Sequence, residues 1–335
     1  MSHSVAINGF GRIGRGVLRA LVENKISDVE VTAINDLSTP ETLAHLLKYD
    51  SVHGRFDAEV SVSGDALVVN GKSIAVTAIR NPAELPWDGV DVAMECTGRF
   101  TAREKAAQHL ENGSRRVLIS APGAGADRTV VYGVNHKDMT KDDIVISNAS
   151  CTTNCLAPVA YVLDKTFGIK TGYMTTIHAY TGDQPSHDAP HKDLYRGRAA
   201  ALSMVPTSTG AAKAISLVLP HLEGKLEGSA VRVPTPKVSL VDLTSTTEKA
   251  ATKDAINAAM KAAAEGELKG VLGYETDPTV SIDYNHDPHS SSFAAPQTSV
   301  TQDGLVRVVS WYDNEWGFAN RMIDTGRRLA ELSKT

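Results

Sequence analysis

The chain has 335 residues, with 34 Lys and Arg against 39 Asp and Glu and a formal net charge of −5. That balance selects neither nucleic acid nor an anionic membrane as a partner, so any anionic ligand has to be held by local arginines. The length exceeds what one hydrophobic core usually supports and argues for two domains. No apolar run reaches the length of a membrane span, and the first strand starts directly after Met1-Ser2-His3 with no secretory leader. Three cysteines, Cys96, Cys151 and Cys155, are sparse and odd in number, which fits the reducing cytoplasm. Cys151 and Cys155 are a poor disulfide pair at helical spacing, and no matching Cys or His cluster completes a metal site around them.

In chain order, Val5-Ala6-Ile7-Asn8 reads as a buried strand, and Gly9-Phe10-Gly11-Arg12-Ile13-Gly14 follows, opening a helix through about Glu23. In that setting each glycine has a physical task. Gly9 allows the tight turn, Gly11 lets a pyrophosphate approach the backbone, and Gly14 lets the helix pack on the sheet, while the helix N-terminus receives the anion. A second strand, Glu30 to Asn35, ends at Asp36, at the spacing where an acid grips a ribose 2′-hydroxyl. The alternative for Asp36 is a turn or capping acid, because Ser38-Thr39-Pro40-Glu41 begins a helix just beyond it. Strands at Val29 to Asp36, Val90 to Gly98, Arg116 to Ser120 and Asp143 to Asn148 alternate with helices at Glu41 to Lys48 and Ala102 to Asn112. The fold class is therefore α/β, a Rossmann-type doubly wound sheet. Asp57 to Arg80, broken by Ser63-Gly64-Asp65 and Asn70-Gly71-Lys72, reads as antiparallel hairpins inserted in it.

Ser150-Cys151-Thr152-Thr153-Asn154-Cys155 then places a thiol where a strand hands over to a helix. The unpaired N–H groups and positive end of that helix favour thiolate over thiol, which makes Cys151 a candidate nucleophile; the bland alternative is a buried cysteine that merely starts a helix. Pro158 should kink this helix. His178, ending a strand-like run from Gly172 to Tyr180, is the candidate base. Beyond it strands dominate: Lys170 to Tyr180, Ser229 to Val233, Val238 to Thr247, Val280 to Tyr284, and Thr298 to Gln302 with Leu305 to Tyr312. With helices near Gly210 to Leu219 and Ala251 to Glu265 they form an α+β catalytic domain with a mixed sheet. The expected boundaries are 1–150 for the nucleotide domain and 151–314 for the catalytic one, with a C-terminal helix at 315–335 packing back on the first.

The stretch Thr181 to Ser203 is long, polar and aperiodic, and loops of this kind inside compact domains are usually functional or disordered. His187 and His191 in it read as surface or interface side chains. Arg196, Arg198 and Arg232 are candidate anion clamps, and Arg232 stands out because it sits in the apolar run Ala230-Val231-Arg232-Val233.

Asn8 to Arg15, Ser150 to Leu156, His178-Ala179-Tyr180-Thr181, Arg232-Val233-Pro234-Thr235-Pro236 and Ser310-Trp311-Tyr312-Asp313-Asn314-Glu315 together resemble phosphorylating, NAD-dependent glyceraldehyde-3-phosphate dehydrogenases, across essentially the whole chain. The resemblance implies Cys151 as nucleophile and His178 as its activating partner. It implies that Arg12, Ile13, Asp36, Arg80, Ser120 and Asn314 line the NAD site. Thr181, Asp183 and Arg232 would form one phosphate site, and Ser150, Thr152, Arg196, Thr209 and Gly210 the other. It also implies a homotetramer in which the loop from Thr181 to Ser203 lines a neighbouring subunit's cofactor site. Two departures are visible, Ala189 where NAD-dependent members often carry Leu, and Phe318 where many carry Tyr. The first bears on NAD against NADP, and the second should leave the chemistry intact.

The chemistry implied is oxidation of D-glyceraldehyde 3-phosphate to 1,3-bisphosphoglycerate with NAD and inorganic phosphate, through a Cys151 thiohemiacetal and thioester. A related alternative is erythrose-4-phosphate dehydrogenase. From other classes come a Cys-His hydrolase, against which the glycine hexad with Asp36 argues, and a non-redox nucleotide-binding module, against which the Cys151–His178 pair argues.

Overall fold

The computed structural model describes residues 2–333. The chain folds into two compact units, one running through Tyr132, His136–Ser150 and from Ala319 on, the other comprising Gly133–Asn135 and Cys151–Phe318.

The first unit is built on a nine-stranded sheet among the described residues, with strand order Arg128–Thr129, Val145–Ser147, Val117–Ile119, Val92–Glu95, His3–Asn8, Val29–Asn35, Lys72–Thr77, Ala66–Val69 and Val60–Ser63. The strands from Arg128–Thr129 to Lys72–Thr77 pair in parallel. Their side chains are correspondingly apolar, with Val5, Ala6 and Ile7 fully buried. The chain leaves His3–Asn8 toward one side and later returns to pair Val92–Glu95 on the other, so the strand order reverses there. Open parallel sheets offer a ligand crevice at that point, beyond the carboxyl ends of the strands.

The inserted segment folds as the sequence suggests in part. Val60–Ser63, Ala66–Val69 and Lys72–Thr77 pair antiparallel, and the turn at Asn70-Gly71 has both φ positive, at 49° and 79°. The last of these strands also joins the parallel sheet through Ala33↔Ala75. The stretch expected as one helix from Ala102 to Asn112 is two short ones, Arg103–Ala106 and Gln108–Glu111. The C-terminal helix spans Trp316–Leu332, and the last residues of the expected range 315–335 lie outside the described residues. Within the first unit this helix donates Thr325 Oγ1 to Asn148 Oδ1 at 2.8 Å and accepts, at Leu332 O, from Arg116 at 3.0 Å.

The second unit carries an eight-stranded mixed sheet among the described residues, with Ile169–Ala179 at its centre, parallel to Leu226–Val233 and antiparallel to Ser239–Thr247. The helix Cys151–Phe167 runs unbroken with Pro158 inside it. Three expectations fail here. Val280 to Tyr284 is not a strand: Ser281–Tyr284 forms a 3₁₀ turn after Pro278, with the Asp283 carboxylate accepting from the Val280 N–H at 2.8 Å. Its alternating Val280 and Ile282 are 59% and 70% exposed rather than buried. Of Gly210 to Leu219 only Ile215–Val218 is helical, and of Thr298 to Gln302 only Ser299–Val300 is strand. Leu272–Glu275, Ser291–Ala294 and the edge strand Val205–Ser208 occupy the sheet instead. Pro206 is tolerated in the last of these because an edge strand can spare a donor.

Candidate active site

At the carboxyl ends of the first unit's central strands lies a cavity of about 390 Å³, lined by Asn8, Gly9, Gly11, Asp36, Arg80 and Thr97 among others. Gly9 has φ +90°, and a Cβ there would meet Thr97 N at 2.8 Å; a Cβ on Gly14 would meet Gly9 O at 2.2 Å. Gly11, by contrast, has open space where its Cβ would stand. The hexad therefore closes the turn tightly at two positions and leaves room at the third, as an approaching pyrophosphate requires.

Asp36 does two things at once. Its Oδ2 accepts from the Phe10 N–H at 2.8 Å and its Oδ1 from the Ser38 N–H at 3.0 Å. It thus pins the glycine turn and closes its own turn while lining the cavity, and each oxygen keeps a second lone pair for a ribose hydroxyl. Arg12 is held in an ion pair with Asp50, whose carboxyl stays far below the usual range; burial opposes this, but the Arg12 contact and the His53 and Val52 N–H groups outweigh it. Ile13 lies in the first turn of the helix Arg12–Glu23, and Ser120 N–H donates to Glu95 O at 3.0 Å.

In the second unit, Cys151 opens the helix Cys151–Phe167 and His178 lies near the end of the central strand. Met174, Thr176 and His178 alternate onto the buried face of that strand. Cys151 Sγ stands 3.5 Å from His178 Nε2. The other ring nitrogen, Nδ1, is 2.7 Å from Ala179 O. A carbonyl can only accept, whereas the Arg232 Nη1 that stands 3.2 Å from the same Nδ1 can only donate; the shorter contact assigns the proton to Nδ1 and leaves the Nε2 lone pair toward the sulfur. His178 pairs in register with Arg232 on the parallel neighbour, and Arg232 Nη1 donates to the same Ala179 O at 3.1 Å and to Thr181 Oγ1 at 2.8 Å.

This setting governs protonation. Burial, and next the Arg232 guanidinium, push the His178 imidazole down to about 3, so it is neutral at physiological pH and takes a proton only when a neighbouring anion forms with it. Burial pushes the Cys151 thiol up, against the opposing pull of Arg232 and the Thr152 contacts. The helix end expected to favour thiolate is thus outweighed in the isolated thiol. Transfer of the proton from Sγ to Nε2, 3.5 Å away, creates opposite charges whose attraction at an effective dielectric near 20 is on the order of 5 kcal/mol. That attraction offsets part, not all, of what burial costs the two groups, so the uncharged pair is the resting state and ionisation of each group is coupled to the other.

Around it, Thr181 donates to Asp183, and Asp183 Oδ2 accepts from Arg196 Nη1 at 3.0 Å. Arg196 Nε in turn donates to Thr207 Oγ1 at 3.0 Å. Arg196, grouped by resemblance with Ser150, Thr152, Thr209 and Gly210, thus hydrogen bonds to Asp183 of the other group. Thr209 Oγ1 accepts from the Ala211 N–H at 3.1 Å, and Gly210 faces open space. Arg232 Nε is buried without a hydrogen-bond partner in the structure, a donor that only an incoming acceptor would satisfy. Arg198 pairs instead with Asp188 at 2.7 Å on an exposed surface.

Sequence reasoning missed two members of this site. Tyr312 is buried, with its hydroxyl 2.8 Å from both Thr152 Oγ1 and Thr176 Oγ1 and its ring edge-on to His178. Ser239 accepts from the Ala179 N–H at 3.0 Å and donates to Asn314 Oδ1 at 3.3 Å, tying Asn314 to the end of the His178 strand. Tyr312 stands inside the motif that carries the resemblance, but nothing local says which way it faces. Cys155, one turn after Cys151, is buried against Ser291 Oγ at 3.5 Å, and burial pushes its thiol up to about 12. Among the described residues no cluster of His, Cys, Asp or Glu could hold a metal ion, and no helix is long and apolar enough to cross a membrane.

Residues 3–103 match the family described as glyceraldehyde 3-phosphate dehydrogenase, NAD binding domain, and residues 150–314 match its C-terminal domain. The chain is similar to proteins named glyceraldehyde-3-phosphate dehydrogenase from three bacteria. The Cereibacter sphaeroides protein is 64% identical over 332 residues, 99% of this chain and 100% of the relative. The Xanthobacter flavus protein is 62% identical over 334 residues, with the same coverage of each. The Geobacillus stearothermophilus protein is 59% identical over 333 residues, 98% of this chain and 99% of the relative.

Proposed function

This chain belongs to the glyceraldehyde-3-phosphate dehydrogenase family, and from that premise we propose a role for each residue of its two sites. It is an NAD-dependent oxidoreductase acting on D-glyceraldehyde 3-phosphate. The first unit is the NAD-binding domain and the second the catalytic domain. Inorganic phosphate is the second substrate, and the product is 1,3-bisphosphoglycerate. The observation that carries the reading is the Cys151 Sγ to His178 Nε2 approach of 3.5 Å beside an arginine whose Nε lacks a partner.

The cavity fits a dinucleotide because Gly11 leaves its floor open beside Asp36. Gly11 and the N–H groups of the first helical turn would receive the pyrophosphate with Arg12 and Ile13, on the turn that Gly9 and Gly14 close. Asp36 would accept from the adenosine ribose, Arg80 and Ser120 would line the NAD site, and Asn314 would hold the nicotinamide carboxamide. When bound, NAD supplies the hydride acceptor. Cys151 Sγ attacks the aldehyde carbon to give a thiohemiacetal. His178 Nε2 takes the hydroxyl proton as the carbon is oxidised, which leaves a thioester on Sγ. Phosphate oxygen then attacks the thioester carbonyl, the C–S bond breaks, and the acyl phosphate leaves. Thr181, Asp183 and Arg232 hold the aldehyde's phosphate, and Ser150, Thr152, Arg196, Thr209 and Gly210 the attacking one.

Arg232→Ala tests the anion assignment. Use of glyceraldehyde 3-phosphate should fall about tenfold to a hundredfold further than use of unphosphorylated glyceraldehyde, from the loss of charge-assisted contacts. Both should share a smaller loss, because Arg232 also acts on His178 and Cys151. Comparing kcat/KM for the two aldehydes measures it, and equal losses would make Arg232 purely structural.

NAD is favoured over NADP because the Asp36 carboxylate repels a 2′-phosphate where it accepts a hydroxyl. Asp36→Gly should raise the efficiency with NADP and lower it with NAD, since the Phe10 N–H loses its acceptor as well. The ratio of kcat/KM for the two cofactors should shift by about tenfold or more. An unchanged ratio would move selectivity to the loop around Ala189.

A homotetramer is supported by large apolar side chains left uncovered in one chain. Leu194 is 85% exposed and Leu202 81%, with Tyr195 and Met204 also outward. Light scattering checks this, and a monomer would rule it out. A nucleophilic thiol operates in a reducing compartment, which supports the cytoplasm; cell fractionation is the test.

A further inference from the structure

Glu95 ends the strand Val92–Glu95 and is 1% exposed. Its carboxylate accepts four hydrogen bonds. Oε2 receives Asn8 Nδ2 at 2.6 Å and His109 Nε2 at 3.0 Å, and Oε1 receives the Thr97 N–H at 2.8 Å and the Thr97 hydroxyl. His109 is itself fully buried, stacked on Trp87 with ring centroids 5.4 Å apart.

A carboxylate presents only acceptors, and this sets a direction for everything bonded beyond it. The Asn8 amide must point its nitrogen at Glu95 and its oxygen at Asn35, whose Nδ2 donates to it at 2.8 Å. Asn35 is oriented in turn, with Nδ2 donating to Ile79 O at 2.9 Å and Oδ1 accepting from the Ile79 N–H at 2.8 Å and Thr77 Oγ1 at 2.9 Å. Glu95 at one end and the Ile79 backbone at the other thus fix the polarity of a chain linking the ends of four strands. Asn8, Asn35, Ile79 and Thr97 all line the dinucleotide cavity, whereas Glu95 and His109 do not. Thr97 N is also the atom against which Gly9 packs.

We propose that Glu95, held by His109 from outside the cavity, is the positioning residue that shapes the NAD pocket through Asn8, Asn35 and Thr97. This rests on the assignment of that cavity to NAD. Replacing the carboxylate by an amide shows why. A Gln amide group cannot face the fixed Thr97 N–H, so its NH₂ turns to Asn8. Asn8 must then flip, which brings its NH₂ against that of Asn35. Asn35 is pinned by both polar groups of Ile79 and cannot follow. A buried donor is left unpaired in the wall of the pocket.

The test measures NAD binding directly by calorimetry in the full chain, beside steady-state kinetics and the rate at which iodoacetamide labels Cys151 without NAD. Glu95→Gln should weaken NAD binding by about tenfold to a hundredfold and raise KM for NAD alike, with kcat at saturating NAD and the labelling rate unchanged. His109→Phe, which keeps a stacked ring but loses the donor, should move NAD affinity the same way, and His109→Gln, which keeps a donor, should lie nearer wild type. If Glu95→Gln does not fold, the His109 pair decides. A wild type that fails to bind NAD would overturn the cavity assignment and this proposal together. A wild type that binds NAD while the variants bind equally well, or variants in which labelling rate and kcat fall with NAD affinity, would overturn the positioning role alone.

Discussion

Cys151→Ser is expected to lower the rate of aldehyde oxidation by at least about a thousandfold, roughly 4 kcal/mol of barrier, while the protein still folds and binds NAD. The reasoning is chemical. A serine hydroxyl is far less acidic than a thiol, so proton transfer to a His178 that burial holds down to about 3 becomes still less favourable. Even if an oxygen ester formed, it would lack the acyl-transfer potential that lets phosphate displace a thioester. Folding should survive because the substitution is small and Cys151 is only partly buried. Cys155→Ser is the control, since that sulfur touches Ser291 and the Ser310 carbonyl rather than His178. Reduced nicotinamide absorbance gives the rates and calorimetry the NAD affinity. Equal rate losses in the two variants would remove Cys151 from the nucleophile role.

His178→Asn should cost about a hundredfold to ten-thousandfold in kcat, the usual worth of a positioned base. It should also change how Cys151 reacts with iodoacetamide. In the proposed mechanism the imidazole takes the thiol proton as the sulfur reacts, and the attraction across 3.5 Å lowers the cost of the sulfur anion. Without the imidazole nothing offsets the burial that pushes the thiol up, so the labelling rate should fall near pH 7 and recover only in strongly alkaline solution. A pH–rate profile that does not move would mean that His178 neither accepts the proton nor stabilises the sulfur anion.

What the sequence revealed, and what it hid, divides along the range of the interactions. The glycine hexad is legible because part of its constraint is local: Gly9 turns with φ +90°, and a Cβ on Gly14 would meet the Gly9 carbonyl oxygen. Cys151 is legible for the same reason, as a strand end and a helix start adjoin it. Val280 to Tyr284 misleads because alternation alone cannot tell an inward from an outward face. Ser291–Ala294 was invisible because its buried serines are satisfied by partners far along the chain, such as Ser310 Oγ at 2.7 Å from Ser291 Oγ. Tyr312, and the meeting of Glu95 with Asn8 and His109, are likewise contacts between distant segments that no local pattern announces.

The helix Trp316–Leu332 carries a consequence for biosynthesis. Its Ala319, Met322, Ile323, Leu329 and Ala330 are buried, and from Ala319 on it belongs to the unit whose preceding segment ended at Ser150. A ribosome adding 5–20 residues per second needs roughly ten to thirty seconds to pass from one to the other. Throughout that interval the nascent nucleotide unit has every strand of its sheet but lacks the helix that completes its core, and it presents an apolar surface to whatever chaperones attend the exit tunnel. Until Ala319 and the residues after it emerge that surface stays open, so quality control on this unit waits for a segment made only after the whole second unit.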